Sequence, residues 1–356
     1  MRKLRFRPCG NFKEYYEQEL TIFETDFGRM WMWIGLFLLL FVVPFVGSPY
    51  TLYVLNNIAI AAIAAIGLNI LIGYTGQISL GHGAFFGVGA YSAAILATKA
   101  GFPFWLSVIL AGAVTAIVGM IFGIPSLRLK HLYLTIATLA GQFIIEYVLV
   151  HWESLTGGAE GIILPEPTIF GLNVSADRAF SWVVFFSFAV MCWMAVNLAR
   201  SRYGRAFVAI RDNDRAAEGM GIPLFRYKLL SFGISSFYAG FAGGLWAYYT
   251  VSITPEPFTL FLSIEYIAMI IIGGLGSISG SVFGAVFIIM LNEILSQATQ
   301  YIMNLGAFAG IALTVAPLRE FVFGLAIVLF LIFEPRGLAE VWRIIRSSFR
   351  LWPFAY

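Results

Sequence analysis

Few ionisable side chains fall inside the apolar part of this chain, and their spacing decides what chemistry is open to it. His82 follows a Gly-rich break, Glu146 and Glu293 lie within or near the ends of apolar runs, and Glu265 opens another. Each is costly in hydrocarbon and needs a partner or a role. The three histidines, at 82, 131 and 151, are too scattered for a zinc site, so no metal is expected. No acid, base and nucleophile cluster at one interface, which argues against a membrane-embedded transferase. His82 reads either as a pathway or gating group or as a hydrogen-bonded packing group. Glu146 and Glu293 can hydrogen-bond neighbouring helices.

Two Gly-rich segments are the other candidates. Gly73-Tyr74-Thr75-Gly76-Gln77-Ile78-Ser79-Leu80-Gly81-His82-Gly83 and Gly273-Gly274-Leu275-Gly276-Ser277-Ile278-Ser279-Gly280 both contain G-x-x-G-x-I-S, which suggests an internal repeat. Non-helical backbone at membrane depth survives only where protein buries it or it lines a water-filled cavity, and broken helices often build transporter sites. The alternative is a pair of tight cytoplasmic turns. On the pathway reading the candidates are Gly76, Gln77, Ser79, Gly81, His82, Gly273, Gly274 and Ser277, with positive φ expected at Gly81 and Gly274.

The elements that must position these residues are read from where charge is absent. Hydrophobic residues make up 60% of the chain, charged residues 12%, and mean hydropathy is +0.86, more apolar surface than a soluble domain of this size buries. Apolar runs fall at about 30–46, 51–72, 77–98, 103–124, 131–150, 179–199, 229–251, 264–275, 280–296 and 318–333. Runs of this length match the ~30 Å hydrocarbon core of a bilayer. The expected fold is an all-α, polytopic transmembrane bundle of about ten spans, with broken or re-entrant Gly-rich segments. If residue 1 is cytoplasmic, segments 1–29, 125–130, 200–228 and 334–356 hold 6, 2, 7 and 4 basic residues, while Lys99, Arg178 and Arg319 face the other side. That asymmetry orients both termini to the cytoplasm. It also accounts for the net charge of +3 without any nucleic-acid partner.

Three rows of small residues at four-residue spacing predict close helix packing: Ser79, Gly83, Gly87; Ala111, Thr115, Gly119, Gly123; and Ser236, Gly240, Gly244. Cys9 and Cys192 lie in unlike surroundings, so no disulfide is expected. The polar segment before Met30 is too long and too charged for a cleaved signal peptide and is expected to remain. Residues 1–29 form either an amphipathic interfacial helix or a disordered tail, 30–333 the transmembrane domain, and 334–356 a tail. In that tail, apolar residues alternating with Arg343, Arg346 and Arg350 suit a helix on anionic lipid, or a plain positive-inside anchor.

The 200–228 loop has its own helical pattern. Asp212 or Asn213 can cap a short helix, and Gly221 with Pro223 can stop it. A compact pair of helices between two spans suits docking onto a soluble partner.

The run from Gly67 through Gly73-Tyr74-Thr75-Gly76-Gln77 to Tyr91 resembles the signature of bacterial branched-chain amino acid ABC permeases of the high-affinity importer type, and more closely the second of their two related permease subunits. The segment Tyr203-Gly204-Arg205 through Ala209-Ile210-Arg211-Asp212-Asn213-Asp214 to Ile222 is similar to that family's coupling segment. Gly273-Gly274-Leu275-Gly276-Ser277 and Phe333-Glu334-Pro335-Arg336-Gly337-Leu338 also match, so the likeness covers about 50–340 in order. It implies one half of an importer pore in the bacterial inner membrane, moving branched-chain or related amino acids. The implied partners are a second permease subunit, two cytoplasmic ABC ATPases and a periplasmic binding protein, with membrane lipid around them. ATP and Mg are used by the ATPase. This chain carries no G-x-x-x-x-G-K-[ST] loop and is expected to bind no cofactor and to be no enzyme. The resemblance assigns ATPase coupling to Arg205, Arg211, Asp214, Ala216, Ala217, Glu218, Gly219 and Gly221, with small residues there for close contact. The alternatives are a permease for urea, short amides or other amino acids, and, in another class, a stand-alone channel or carrier.

Overall fold

A computed structural model describes residues 42–126, 132–169, 172–173, 177–304 and 337–351, with shorter stretches within 30–38 and 321–332. Its main helices are α1 (Pro49–Asn69), α2 (His82–Thr98), α3 (Phe104–Ser126), α4 (Leu132–His151), α5 (Asp177–Arg200), α6 (Arg202–Asp212), α7 (Asp214–Gly219), α8 (Leu224–Thr250), α9 (Leu260–Gly273), α10 (Ile278–Asn304) and α11 (Leu338–Leu351). Among the described residues, six helices are long and apolar enough to cross a membrane: α1 with its extension to Tyr74, α3, α4, α5, α8 and α10. They coincide with six of the expected runs.

The differences lie at the Gly-rich breaks. The run expected at 77–98 becomes helical only at His82, and the run expected at 264–275 is the 14-residue helix α9, beginning at Leu260. The expected runs at 30–46 and 318–333 are described only in part, and segment 1–29 lies wholly outside the described residues. In the expected tail, α11 forms where the apolar and basic residues alternate, and Trp342 packs on Phe283 of α10 at 6.1 Å between rings.

α1 is the central pillar. Ser48 Oγ accepts from the Thr51 amide at 3.2 Å, and Pro49 supplies the preset φ of a first turn. Its most apolar window is 83% buried, against 39% for α3 and 33% for α4, because Ile and Ala alternate around all its faces. The Asn56 side chain donates to Ser181 Oγ at 3.0 Å, joining α1 to α5.

Two of the small-residue rows meet each other. A Cβ on Gly119 would overlap the Ser236 hydroxyl, one on Gly240 would overlap Thr115, and Gly244 sits against Ala111. α3 and α8 are therefore zipped along Ala111–Gly123 and Ser236–Gly244. The first row packs on a different neighbour: Gly83 lies against Ser263 and Gly87 against Phe258. At one end of the bundle, Ile162 and Ile163 pair with Ile253 and Ser252 as a short antiparallel ladder.

Candidate functional site

The first break begins before α1 has finished. From Ile70 to Tyr74 the helix widens into a π turn, a form that recurs at functional sites. Gly76 then takes φ +74°, and the chain continues extended. Thr75, Gln77 and Ser79 are buried while Gly76 and Ile78 are exposed, the alternation of a strand. At the far end His82 Nε2 lies 2.9 Å from the carbonyl oxygen of Ala64. Ala64 sits about 14 Å back along α1 from Gly73 at 1.5 Å per residue, so residues 75–81 climb beside the helix they have just left. The segment is thus no tight turn.

That path leaves the amides at the start of α2 to be satisfied from elsewhere. The Gly83 amide donates to Ser263 Oγ of α9 at 2.7 Å, and the Ala84 amide donates to Gln142 Oε1 of α4 at 2.8 Å. Gln142 also donates to the Phe258 carbonyl, and Leu80 N–H donates to Thr138 Oγ1 at 3.0 Å. Gln77 Nε2 donates to Ser231 Oγ at 2.8 Å, tying the break to α8. Gln77 Oε1 is buried with no donor among the described residues. Ser79 Oγ accepts from the Gly81 amide at 3.4 Å. His82 is buried and stands edge-on to Tyr266 at 5.4 Å.

The second break is short, from Gly274 to Ser277. Gly274 has φ +117° and Gly276 φ +75°, both open to glycine and strained for other residues. Gly273 lies against the backbone of Gly280, and Gly274 against Gly337. Ser277 Oγ accepts from the Gly280 amide at 3.1 Å, starting α10. The expectation of positive φ holds at Gly274 and fails at Gly81. Gly81 has φ −98°, because it closes an extended segment rather than a reverse turn; a Cβ there would lie 3.0 Å from the Thr138 carbonyl oxygen.

Asn69, which is not among the residues expected from the sequence, joins the breaks. Its Nδ2 donates to the Ser277 carbonyl at 2.8 Å and to Ser281 Oγ at 2.7 Å, while its Oδ1 accepts from the Gly276 amide at 2.9 Å. Gly73 has no room for a Cβ because Asn69 Oδ1 and the Gly276 nitrogen fill that space. The only sequence signal for this was a buried-type polar residue in an otherwise apolar stretch.

The 202–219 loop reaches the same place. Ser201 caps α6, Asn213 Oδ1 caps α7 by accepting from the Ala216 amide, and Gly221, at φ +86°, ends it. Arg211, in the last turn of α6, donates from Nη1 to the Gly73 carbonyl at 2.8 Å and pairs with Asp212 at 3.0 Å. Its side chain also lies beside Gly76 and Gly276. Arg205 donates to the Arg200 carbonyl, and Asp214 lies 3.9 Å from Lys228 Nζ. Ala216, Glu218 and Gly219 are exposed, and a Cβ on Gly219 would meet open space. Ala217 is fully buried within its own chain, which explains its small size.

Comparison with known proteins adds to this geometry. The family described as branched-chain amino acid transport system / permease component matches residues 50–331. The high-affinity branched-chain amino acid transport system permease protein LivM of Salmonella typhimurium is 34% identical over 284 residues, 73% of this chain and 67% of that protein. The probable branched-chain amino acid transport permease protein LivM of Methanocaldococcus jannaschii is 27% identical over 65% of this chain and 67% of its own length. The probable permease protein LivH of the same organism is 30% identical over 67% of this chain and 77% of its own length. No solved structure matches the chain.

Proposed function

The chain belongs to the branched-chain amino acid transport permease family, and from that premise we propose that it forms one half of an ATP-driven amino acid importer. It works beside a second, related permease subunit in the inner membrane. Two cytoplasmic ATPases and a periplasmic binding protein complete the assembly. The observation that carries the reading is the junction of three distant segments: Asn69 ties the first break to the second, and Arg211 ties both to the 202–219 loop. Movement of that loop is thereby passed to the backbone of the breaks.

Ala216, Glu218 and Gly219 form the open face that an ATPase meets. The donorless Gln77 Oε1 is a cost that a second arrangement of residues 75–81 relieves, as a moving segment requires. Gly76, Gln77, Ser79, Gly81, His82, Gly273, Gly274 and Ser277 then serve the path by shaping these breaks. The chain crosses ten times with both ends in the cytoplasm, and residues 75–81 are re-entrant.

The test is reconstitution of the complete complex in vesicles. ATP must drive uptake of labelled leucine, and excess urea or acetamide must fail to compete. ATP-independent flux would point to a stand-alone carrier. For topology, cysteines placed near Asp212 and Arg343 must label from the cytoplasm and those near Gly158 and Asn304 from outside; an externally accessible Arg343 would remove the ten-span count.

A further inference from the structure

A groove of about 470 Å³ runs between α10 and α11, lined only by apolar side chains among the described residues. On α10 it follows one stripe, through Phe283, Met290 and Ile294; on α11 it follows Leu338, Trp342 and Ile345. Both stripes recur at helical spacing, so each is a single face. α11 is tied to the bundle at its start. A Cβ on Gly337 would lie 2.8 Å from the Gly274 backbone, and Trp342 meets Phe283 with ring centroids 6.1 Å apart. Further along α10, Met290 and Ile294 stay exposed.

Depth and charge select what fills the groove. α10 is long and apolar enough to cross a membrane, so the surroundings of its exposed stripe are hydrocarbon. From Phe283 to Ile294 is roughly 16 Å at 1.5 Å per residue, and one leaflet takes about half of the ~30 Å hydrocarbon core. The groove therefore has the length of one acyl chain. Its rim is basic: α11 carries Arg343, Arg346 and Arg350 at helical spacing against the single acid Glu340. A helix apolar on one side and rich in Arg on the other lies in the membrane interface, at the level of the headgroups. The Arg343 side chain is 74% exposed and pairs with Glu340 at 2.6 Å. A guanidinium has five N–H groups, so this pair leaves donors for a phosphate.

We propose that the groove is a binding site for one anionic phospholipid, with an acyl chain between α10 and α11 and its phosphate on Arg343. The lipid comes from the leaflet on the side of the 202–219 loop, because α10 starts at the second break, where Arg211 of that loop lies beside Gly276. A zwitterionic lipid fills the same groove without a net charge for the basic rim to hold.

The test uses the complete complex in phosphatidylcholine vesicles doped with a phospholipid bearing a photoreactive diazirine in its acyl chain, followed by peptide mapping. Adducts should concentrate on 283–294 and 338–345. A phosphatidylglycerol probe should exceed a phosphatidylcholine probe at equal mole fraction by about fivefold, the factor for one cation near an anionic surface. Arg343→Gln should bring that ratio near one, and Arg343→Lys should keep it. Met290→Trp, which fills the groove, should remove these adducts and spare those on the outward faces of α4 and α5.

Equal yields from the two probes in the wild type, or adducts spread evenly over α4, α5 and α10, mean bulk lipid only and overturn the assignment. So does an unchanged ratio in Arg343→Gln. If Met290→Trp fails to accumulate, Met290→benzoylphenylalanine replaces it as a photoreactive reporter in the groove. Capture of phosphatidylglycerol then supports the site. Capture of the second permease subunit, or of another segment of this chain, gives the groove to protein and overturns the lipid.

Discussion

The Arg211 guanidinium donates a 2.8 Å hydrogen bond to the backbone carbonyl of Gly73, 138 residues earlier in the chain. One end of this link is the last turn of a loop helix and the other is the widened turn that ends α1. A side chain bonded to backbone ties the loop to the path of the main chain itself.

Removing that link should uncouple the loop from the breaks. A hydrogen bond from a charged donor is worth about 1.5–3 kcal/mol, so Arg211→Ala should cut ATP-driven uptake by roughly 10-fold or more while ATPase subunits still co-purify. Normal uptake per inserted subunit would mean that the contact carries no movement.

Asn69→Ala should act on stability rather than on docking. It strips the Gly276 amide of its acceptor, at a cost of about 1–3 kcal/mol, and removes a donor from Ser281 Oγ, which keeps its own bond to the Ser277 carbonyl. Asn69→Asp should be worse, since a carboxylate cannot donate to the Ser277 carbonyl. Thermal unfolding in detergent checks both, and a melting temperature equal to wild type for either would remove Asn69 as the joint.

The glycines of the two breaks should differ from each other. Gly274→Ala meets a positive φ of +117°, whereas Gly81→Ala, at φ −98°, meets only the close Thr138 carbonyl at 3.0 Å. Uptake should fall in the order Gly35→Val least, Gly81→Ala next, Gly274→Ala most, because Gly35 has open space around it. Equal loss at Gly35 and Gly274 would show that bulk alone matters.

On the open face of α7, Glu218→Lys or Gly219→Trp should abolish uptake and weaken ATPase association without affecting insertion. A bulky side chain at 219 that leaves both intact would discard docking at this face. Ala217→Trp, by contrast, should lower membrane abundance, because Ala217 is buried in its own chain.

His82→Gln should retain most uptake if the imidazole only holds the Ala64 carbonyl, since an amide can donate to the same oxygen. His82→Leu should lose more, leaving that junction without its donor. Severe loss in both variants, at normal abundance, would assign His82 to gating.

Much of this protein was legible from residue order alone. Hydropathy marks the six long apolar helices because it depends on the solvent each residue meets, not on its neighbours in space. The caps of the loop are local too: Asn213 bonds three residues on, and Gly221 stops α7 by its own φ. What the tertiary structure alone decided is the pairing. Nothing in the order of residues says that Ala111–Gly123 faces Ser236–Gly244 while Gly83 faces Ser263 and Gly87 faces Phe258, because small residues at four-residue spacing fit any similar row. Nor could it reveal that the chain stays non-helical from Gly76 to Gly81, since the amides at the start of α2 are satisfied by Gln142 and Ser263, 58 and 180 residues away. Asn69 and Arg211 became the joints for the same reason: a polar side chain declares that it needs a partner, and only the folded chain supplies one.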